Sequence, residues 1–296
     1  MVTAARAIAD AAQRFESLGL YFGHGTDNAE DEAAFLVLHA LNLPFDVTAE
    51  QLSRELSVEE IERVDALIKA RVELRLPAAY LTHRMWFAGL EFYVDERVLV
   101  PRSPLAELID DGFQPWLGRL CVERVLDIGT GSGCIAVAVA CAFPTARIDA
   151  LDISKDALAV AAMNRDRHGL NDRMCLIEAD LFPPLGECYQ LIVSNPPYVP
   201  RARMKALPKE YRNEPPLALE AGTDGMDYVS RILAHAHEYL SDGGLLVVEV
   251  GEIQDEVVMR YPHLPFTWIE FEMGGEGVFL LTREELIHRG VAPVTR

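Results

Sequence analysis

Very little in this sequence points away from a reducing, aqueous compartment. Its 296 residues include only five cysteines, an odd number. Cys121, Cys134, Cys141, Cys175 and Cys188 form no Cys-x-x-Cys pair, so neither a zinc cluster nor a disulfide framework is suggested. Most are expected to pack as small apolar side chains. No apolar run approaches the roughly 20 residues of a membrane-spanning helix. A secretory leader is not expected either, because Arg6, Asp10, Arg14 and Glu16 break any apolar stretch at the start. These absences fit a cytoplasmic protein. Basic charge is scarce too: 27 Lys and Arg stand against 46 Asp and Glu, a formal net charge of −19. Such a surface repels duplex DNA and anionic lipid headgroups and attracts basic partners. No internal repeat or low-complexity tract is present, which leaves one large or two modest packed domains.

What is present divides into three parts. Residues 1–84 read as a helical bundle. Ile8, Ala12, Phe15 and Leu18 recur at helical spacing, as do Ala33, Leu36, Val37, Ala40 and Leu41. Thr48 with Gln51 and Ser57 with Glu60 have the spacing of capping boxes, in which two side chains satisfy free backbone donors at a helix start. Ile61, Val64, Ile68 and Val72 form a further stripe, and Pro77 ends it. No cluster of catalytic residue types occurs there. Residues 85–104 form a linker, with a β-hairpin over residues 86–94 and a short strand at Val98–Val100.

Residues 105–296 alternate short apolar strands with helices. Strands are expected at Arg124–Ile128, Ile148–Leu151, Met174–Ile177, Leu191–Ser194 and Leu245–Val250. That alternation predicts an α/β fold, a parallel sheet covered on both faces. Phe266–Phe271 and Val278–Thr282 are joined only by a Gly-rich turn, so this last pair must be antiparallel. The expected whole is a Rossmann-like, seven-stranded, mostly parallel sheet.

Asp127-Ile128-Gly129-Thr130-Gly131-Ser132-Gly133 follows the first strand and opens a helix. Glycines at this turn let the backbone approach a ligand. Asp152 ends the next strand, where a carboxylate can accept both ribose hydroxyls of a nucleoside, or merely cap the following helix. Dinucleotide loops usually read Gly-x-Gly-x-x-Gly. This loop reads Gly-x-Gly-x-Gly behind an acid that would repel phosphate and attract a cationic methionine group. It resembles motif I of the Rossmann-like S-adenosylmethionine methyltransferases. The resemblance implies that Asp127, Gly129, Thr130, Gly131, Ser132 and Gly133 surround S-adenosylmethionine, that Asp152 holds its ribose, and that Asp180 and Leu181 flank its adenine.

Asn195-Pro196-Pro197-Tyr198 follows the fourth strand, at the carboxyl end of the sheet, where open α/β folds bind ligands. Two prolines could simply stop a strand. The residue types also suit methyl transfer to a planar NH₂ group. An amide nitrogen is a poor nucleophile because its lone pair is delocalised. The Asn195 side-chain oxygen and the Pro196 carbonyl are acceptors that can hold the NH₂ group and favour the developing charge. The Tyr198 ring can stack on the planar group. Asn195, adjoining the cofactor, counts among its contacts as well. Nothing here demands a covalent intermediate or a metal.

Asn-Pro-Pro-Tyr is similar to the motif of two groups, DNA adenine amino-methyltransferases and the protein glutamine methyltransferases of the HemK/Prm family. The motif alone does not separate them. The helical N-terminal part, hairpin and Rossmann-like domain resemble the HemK/Prm layout over nearly the whole chain. Phe92–Pro104, with Pro101-Arg102-Ser103-Pro104, and Leu207–Leu219 resemble the branch that acts on large-subunit ribosomal protein L three. The release-factor branch typically has Pro-Arg-Pro-Asp-Thr at the first site. The resemblance implies transfer of a methyl group to a glutamine amide nitrogen of that basic protein before or during ribosome assembly. It implies a position for Arg102 near the cleft, and residues 1–84, which carry no evident chemistry of their own, are expected to dock the substrate. The alternatives are a release-factor substrate, adenine methylation, and a non-enzymatic assembly module. Adenine methylation lacks a basic footprint for phosphate, and the intact Asn195 and Gly loop oppose the last. The roles of Glu214 and Glu249 stay open at this level.

Overall fold

The computed structural model describes residues 1–289. Alternation along the central strands decides its architecture. On β3 (Arg124–Ile128), Val125 faces one apolar core and Leu126 and Ile128 face another. On β6 (Tyr189–Ser194), Leu191 and Val193 join the first core while Ile192 joins the second. A strand puts successive side chains on opposite faces, so a sheet apolar on both needs helices on both. The first face is covered by α6 (Leu105–Asp110), α7 (Cys134–Ala142) and α8 (Lys155–Arg167). The second is covered by α10 (Asp227–Tyr239), α11 (Gln254–Arg260) and α12 (Arg283–Arg289). A short helix, α9 (Arg201–Met204), follows β6.

The seven strands lie in the order β5 (Met174–Glu178), β4 (Arg147–Asp152), β3, β6, β7 (Leu240–Glu249), β9 (Val278–Thr282), β8 (Thr267–Trp268). Strand β9 runs antiparallel to both its neighbours; the other pairings are parallel. Strand β8 is shorter than the expected Phe266–Phe271. Strand β7 starts five residues before the expected Leu245, with a register shift opposite Tyr189–Leu191. The order reverses between β3 and β6, which opens a crevice at the carboxyl ends of these two strands.

Residues before the sheet form α1 (Ala4–Ser17), α2 (Ala29–Ala40), α3 (Ala49–Ser53), α4 (Val58–Leu74) and α5 (Ala78–Thr82) around their own core. Both expected capping boxes are present, Thr48–Gln51 opening α3 and Ser57–Glu60 opening α4. The expected stripes bury Phe15, Ala33, Leu36, Val37, Val64 and Ile68, but Leu18 is 45% exposed because it caps α1 rather than extending it. The hairpin forms as β1 (Met85–Phe87) and β2 (Leu90–Phe92).

Two sequence expectations fail. Val98–Val100 is not a strand: Val98 N–H closes a turn onto the Asp95 carbonyl, and Val100 N–H donates to the Glu214 carboxylate, 3.0 Å away. Its donors are taken by a turn and a side chain, so no ladder can form. Four of the five cysteines, Cys121, Cys141, Cys175 and Cys188, are exposed; only Cys134 is buried, and all are free thiols. Among the described residues no helix is long and apolar enough to cross a membrane.

Candidate active site

The loop between β3 and α7 uses its glycines for different ends. Gly129 and Gly131 have φ of +74° and +56°, and a β-carbon on either would project into open space. Both line a cavity along the carboxyl edge of β3, β4 and β5. Gly133, at φ +81°, faces inward, and a β-carbon there would meet the Ala161 β-carbon at 3.2 Å. It serves the close packing of α7 on α8.

The acid ahead of the loop also faces inward. Asp127 is fully buried and accepts a hydrogen bond from the Thr130 hydroxyl at 2.6 Å, while its Oδ1 has no partner. Burial pushes its carboxyl up to about 7. Thr130 and Ser132 are likewise buried. Asp127, Thr130, Ser132 and Gly133 are not among the residues lining the cavity, and the Thr130–Asp127 hydrogen bond holds the turn in shape.

Asp152, at the end of β4, does line the cavity. Its Oδ2 accepts the Gly131 N–H and its Oδ1 the Ser154 N–H, both at 2.9 Å. Burial raises its pKa. These two bonds fix the carboxylate in orientation and leave it lone pairs to spare, the acceptors that ribose hydroxyls require. The helix cap is supplied separately, by the Ser154 hydroxyl accepting the Ala157 N–H. Asp180 and Leu181 line the same cavity beyond β5, with Ala179 and Tyr228. Asp180 is also paired with Arg231 at 2.8 Å. Tyr228 came from no sequence signal; it sits on α10, which packs against β7, and reaches the cavity only through that packing.

Asn195, Pro196 and Pro197 close the far end of this cavity. A second cavity begins there. It is lined by Asn195, Pro196 and Tyr198 together with Arg102, Tyr211 and Glu249. Asn195 and Pro196 are thus common to both hollows. Among the described residues the Asn195 side chain makes no hydrogen bond, whereas the preceding Ser194 hydroxyl is anchored to the Ile128 carbonyl at 2.8 Å. The motif's backbone is fixed and its carboxamide is free.

Charged groups shape the second cavity. Arg102 donates to both oxygens of Glu214, at 2.6 and 2.7 Å, and its guanidinium lies 5.1 Å from the Tyr211 ring centroid. The Glu214 side chain has no exposure. Burial alone would raise its pKa; the Arg102 charge and hydrogen bonds outweigh that and bring it to about 2. Glu249, at the end of β7, accepts the Ser103 hydroxyl at 2.5 Å and the Tyr198 hydroxyl at 3.4 Å. Burial pushes its carboxyl up to about 7. The Tyr198 ring is thereby held between the motif and the sheet. Gly251 allows this approach, since a β-carbon there would fall 2.8 Å from the ring.

The helical bundle reaches this wall. Arg71 is fully buried and donates to Glu32 at 2.6 Å, Glu210 at 3.2 Å and the Tyr21 carbonyl at 2.8 Å. Arg75 also donates to Glu210, at 3.2 Å. Glu210 and Glu214 flank Tyr211, so buried charge fastens the cavity wall to α2 and α4. The Ile61–Val72 stripe gave no sign that Arg71 beside it is buried.

A twisted sheet with this strand order, a Gly loop over an acid-bearing strand end and a second cavity joined to the first at Asn195–Pro196 define a Rossmann-like methyltransferase. The family model of the methyltransferase small domain matches residues 107–207. The crystal structure of the hMettl16 catalytic domain in complex with a MAT2A 3′UTR hairpin shares the fold, with a TM-score of 0.50 at 15% identity over 93% of this chain and 89% of that one. S-adenosylmethionine is the cofactor, and Gly129, Gly131 and Asp152 supply the open backbone and fixed carboxylate that fit it. The ribosomal protein uL3 glutamine methyltransferase of Neisseria meningitidis serogroup B is 50% identical over 94% of this chain and 92% of its own length. That of Neisseria gonorrhoeae is 51% identical over 94% and 93%, and that of Bordetella pertussis 50% over 93% of each. The chain belongs to the ribosomal protein uL3 glutamine methyltransferases.

Proposed function

We propose that the chain methylates the side-chain amide nitrogen of a glutamine in ribosomal protein uL3, the large-subunit protein L three, before or during ribosome assembly. The observation that carries the reading is the free Asn195 carboxamide where the two cavities meet. Asp152 holds the ribose, Asp180 and Leu181 flank the adenine, and Gly129 and Gly131 admit the methionine end. When bound, S-adenosylmethionine supplies a methyl group already activated on a sulfonium.

The protein's task is then to place and orient the amide. The glutamine side chain enters through the second cavity and lies against the Tyr198 ring. The Asn195 Oδ1 and Pro196 carbonyl accept its two N–H bonds, which turns the nitrogen toward the first cavity. As the new C–N bond forms and the methyl–sulfur bond breaks, its electron pair staying on the sulfur as a neutral thioether, these acceptors would stabilise the positive charge on nitrogen and one of the N–H protons would leave toward solvent. The Arg102–Glu214 pair and the Ser103–Glu249–Tyr198 chain keep the walls in register. The acidic surface favours encounter with a basic protein, and added salt slows it.

The test is transfer of labelled methyl groups to purified uL3, to a release factor and to nucleic acid. Label in a single uL3 glutamine supports the reading. Label in the release factor with none in uL3 moves the substrate to the sister branch. Asn195→Ala is expected to lower turnover by about a hundredfold or more, as for the loss of one preorganised polar contact, with cofactor binding nearly unchanged.

A further inference from the structure

A third hollow lies where the helical bundle meets the hairpin, apart from the two joined cavities. It is lined by His24, Asp27 and Asp31 and by Phe35, Phe45 and Trp86. The three rings form one cluster. The Phe35 and Phe45 centroids are 5.9 Å apart, and Trp86 stands at 80° to both, 5.9 and 5.0 Å away. Phe45 is 55% exposed, so the cluster keeps an apolar face in water. Asp27 and Asp31 are exposed beside it, and among the described residues neither is ion-paired. The floor is His24, 3% exposed, whose Nδ1 has no hydrogen-bond partner. Its Nε2 lies 3.4 Å from Glu214 Oε2, behind the wall of the second cavity. The hollow is therefore one buried side chain away from the reacting site.

We propose that this groove is an exosite for a lysine- or arginine-rich segment of the methyl-accepting protein, separate from the target glutamine; this rests on the protein-substrate reading above. Three observations favour that occupant. Aromatic faces attract cations, and the Arg84 guanidinium already lies 4.9 Å from the Trp86 centroid. Two carboxylates without cationic partners rim the rings and leave a local negative field. The net charge of −19 extends that field over the whole molecule. A segment held here tethers its own chain beside the cavity, which raises the effective concentration of the glutamine without altering the chemistry.

The experiment compares the unaltered enzyme with Phe45→Ala, Asp27→Lys and Asp27→Asn on full-length uL3 at saturating S-adenosylmethionine. Thermal melts establish that each variant folds, and the two exposed Asp27 variants carry the test if Phe45→Ala does not. The expected result is a KM for uL3 raised about five- to tenfold, most in Asp27→Lys, with kcat and cofactor affinity within about twofold. Raising salt should increase the unaltered enzyme's KM more than that of Asp27→Lys. An unchanged KM in folded variants overturns the exosite alone. So does loss of self-association in sedimentation with KM preserved, which would make the groove a contact between copies. No methylation of uL3 by the unaltered enzyme would sink the substrate assignment, and the exosite with it.

Discussion

Replacing Arg102 by methionine isolates what a buried ion pair does for this fold. Glu214 is fully enclosed and takes two hydrogen bonds from Arg102 and one from the Val100 N–H. Its pKa falls from the ordinary 4.5 to about 2. At 1.36 kcal/mol per tenfold change in proton affinity, that difference is worth about 3 kcal/mol, within the range of about 3–5 kcal/mol for breaking a buried pair. Arg102→Met should therefore lose about 3 kcal/mol of stability at pH 7, read as a lowered urea midpoint. The pH dependence has a definite sign. In the unaltered protein the depressed pKa contributes fully above pH 4.5 and is lost as pH falls through about 2. In the variant, burial is opposed by the Val100 N–H and His24 but no longer by Arg102, so the Glu214 pKa rises and protonation relieves the stranded charge. The deficit of Arg102→Met should shrink between pH 7 and pH 5. Arg102→Met with Glu214→Gln should recover at least half of the loss, since the amide oxygen still accepts the Val100 N–H. A loss under about 1 kcal/mol, the size expected of a surface pair, would refute the reasoning. So would a double variant no more stable than Arg102→Met.

Asp152→Ala should weaken S-adenosylmethionine binding by about 1–3 kcal/mol, the range for losing charge-assisted hydrogen bonds; calorimetry giving an unchanged Kd in a folded variant would remove the ribose role. Gly133→Ala should destabilise by about 1–3 kcal/mol, because it combines a left-handed backbone with an overpacked contact at Ala161; a Tm equal to that of the unaltered protein would count against that packing role. Glu249→Gln tests the opposite pH behaviour from Glu214. The raised pKa of Glu249 makes its contribution complete below about 4.5 and lost as pH rises through about 7. The glutamine variant should gain on the unaltered protein by about 2–3 kcal/mol between pH 5 and pH 8, and parallel urea midpoints across that range would rule the idea out.

The features legible in the sequence are those carried by neighbours in the chain. Short apolar runs between helical segments specified β3, β4, β5 and β6 within a residue or two, and hydroxyl–acid or hydroxyl–amide spacings of three marked the starts of α3 and α4. The Gly loop and Asn195–Tyr198 were legible because strand, turn and helix follow one another directly, which fixes both motifs at the carboxyl edge of the sheet. Tertiary structure alone decided which faces those motifs present and what stands opposite them. It turned Asp127 and Gly133 inward and left Gly129, Gly131 and Asp152 to the cavity. It made a carboxylate, not a strand, the partner of Val100. It buried Arg71 among carboxylates from two different regions, and brought Arg102 to Glu214 across 112 residues and Ser103 to Glu249 across 146. A charge is tolerated in the interior only where an opposite charge or a donor meets it. That meeting depends on how the chain is folded back, so no local pattern of residues can announce it.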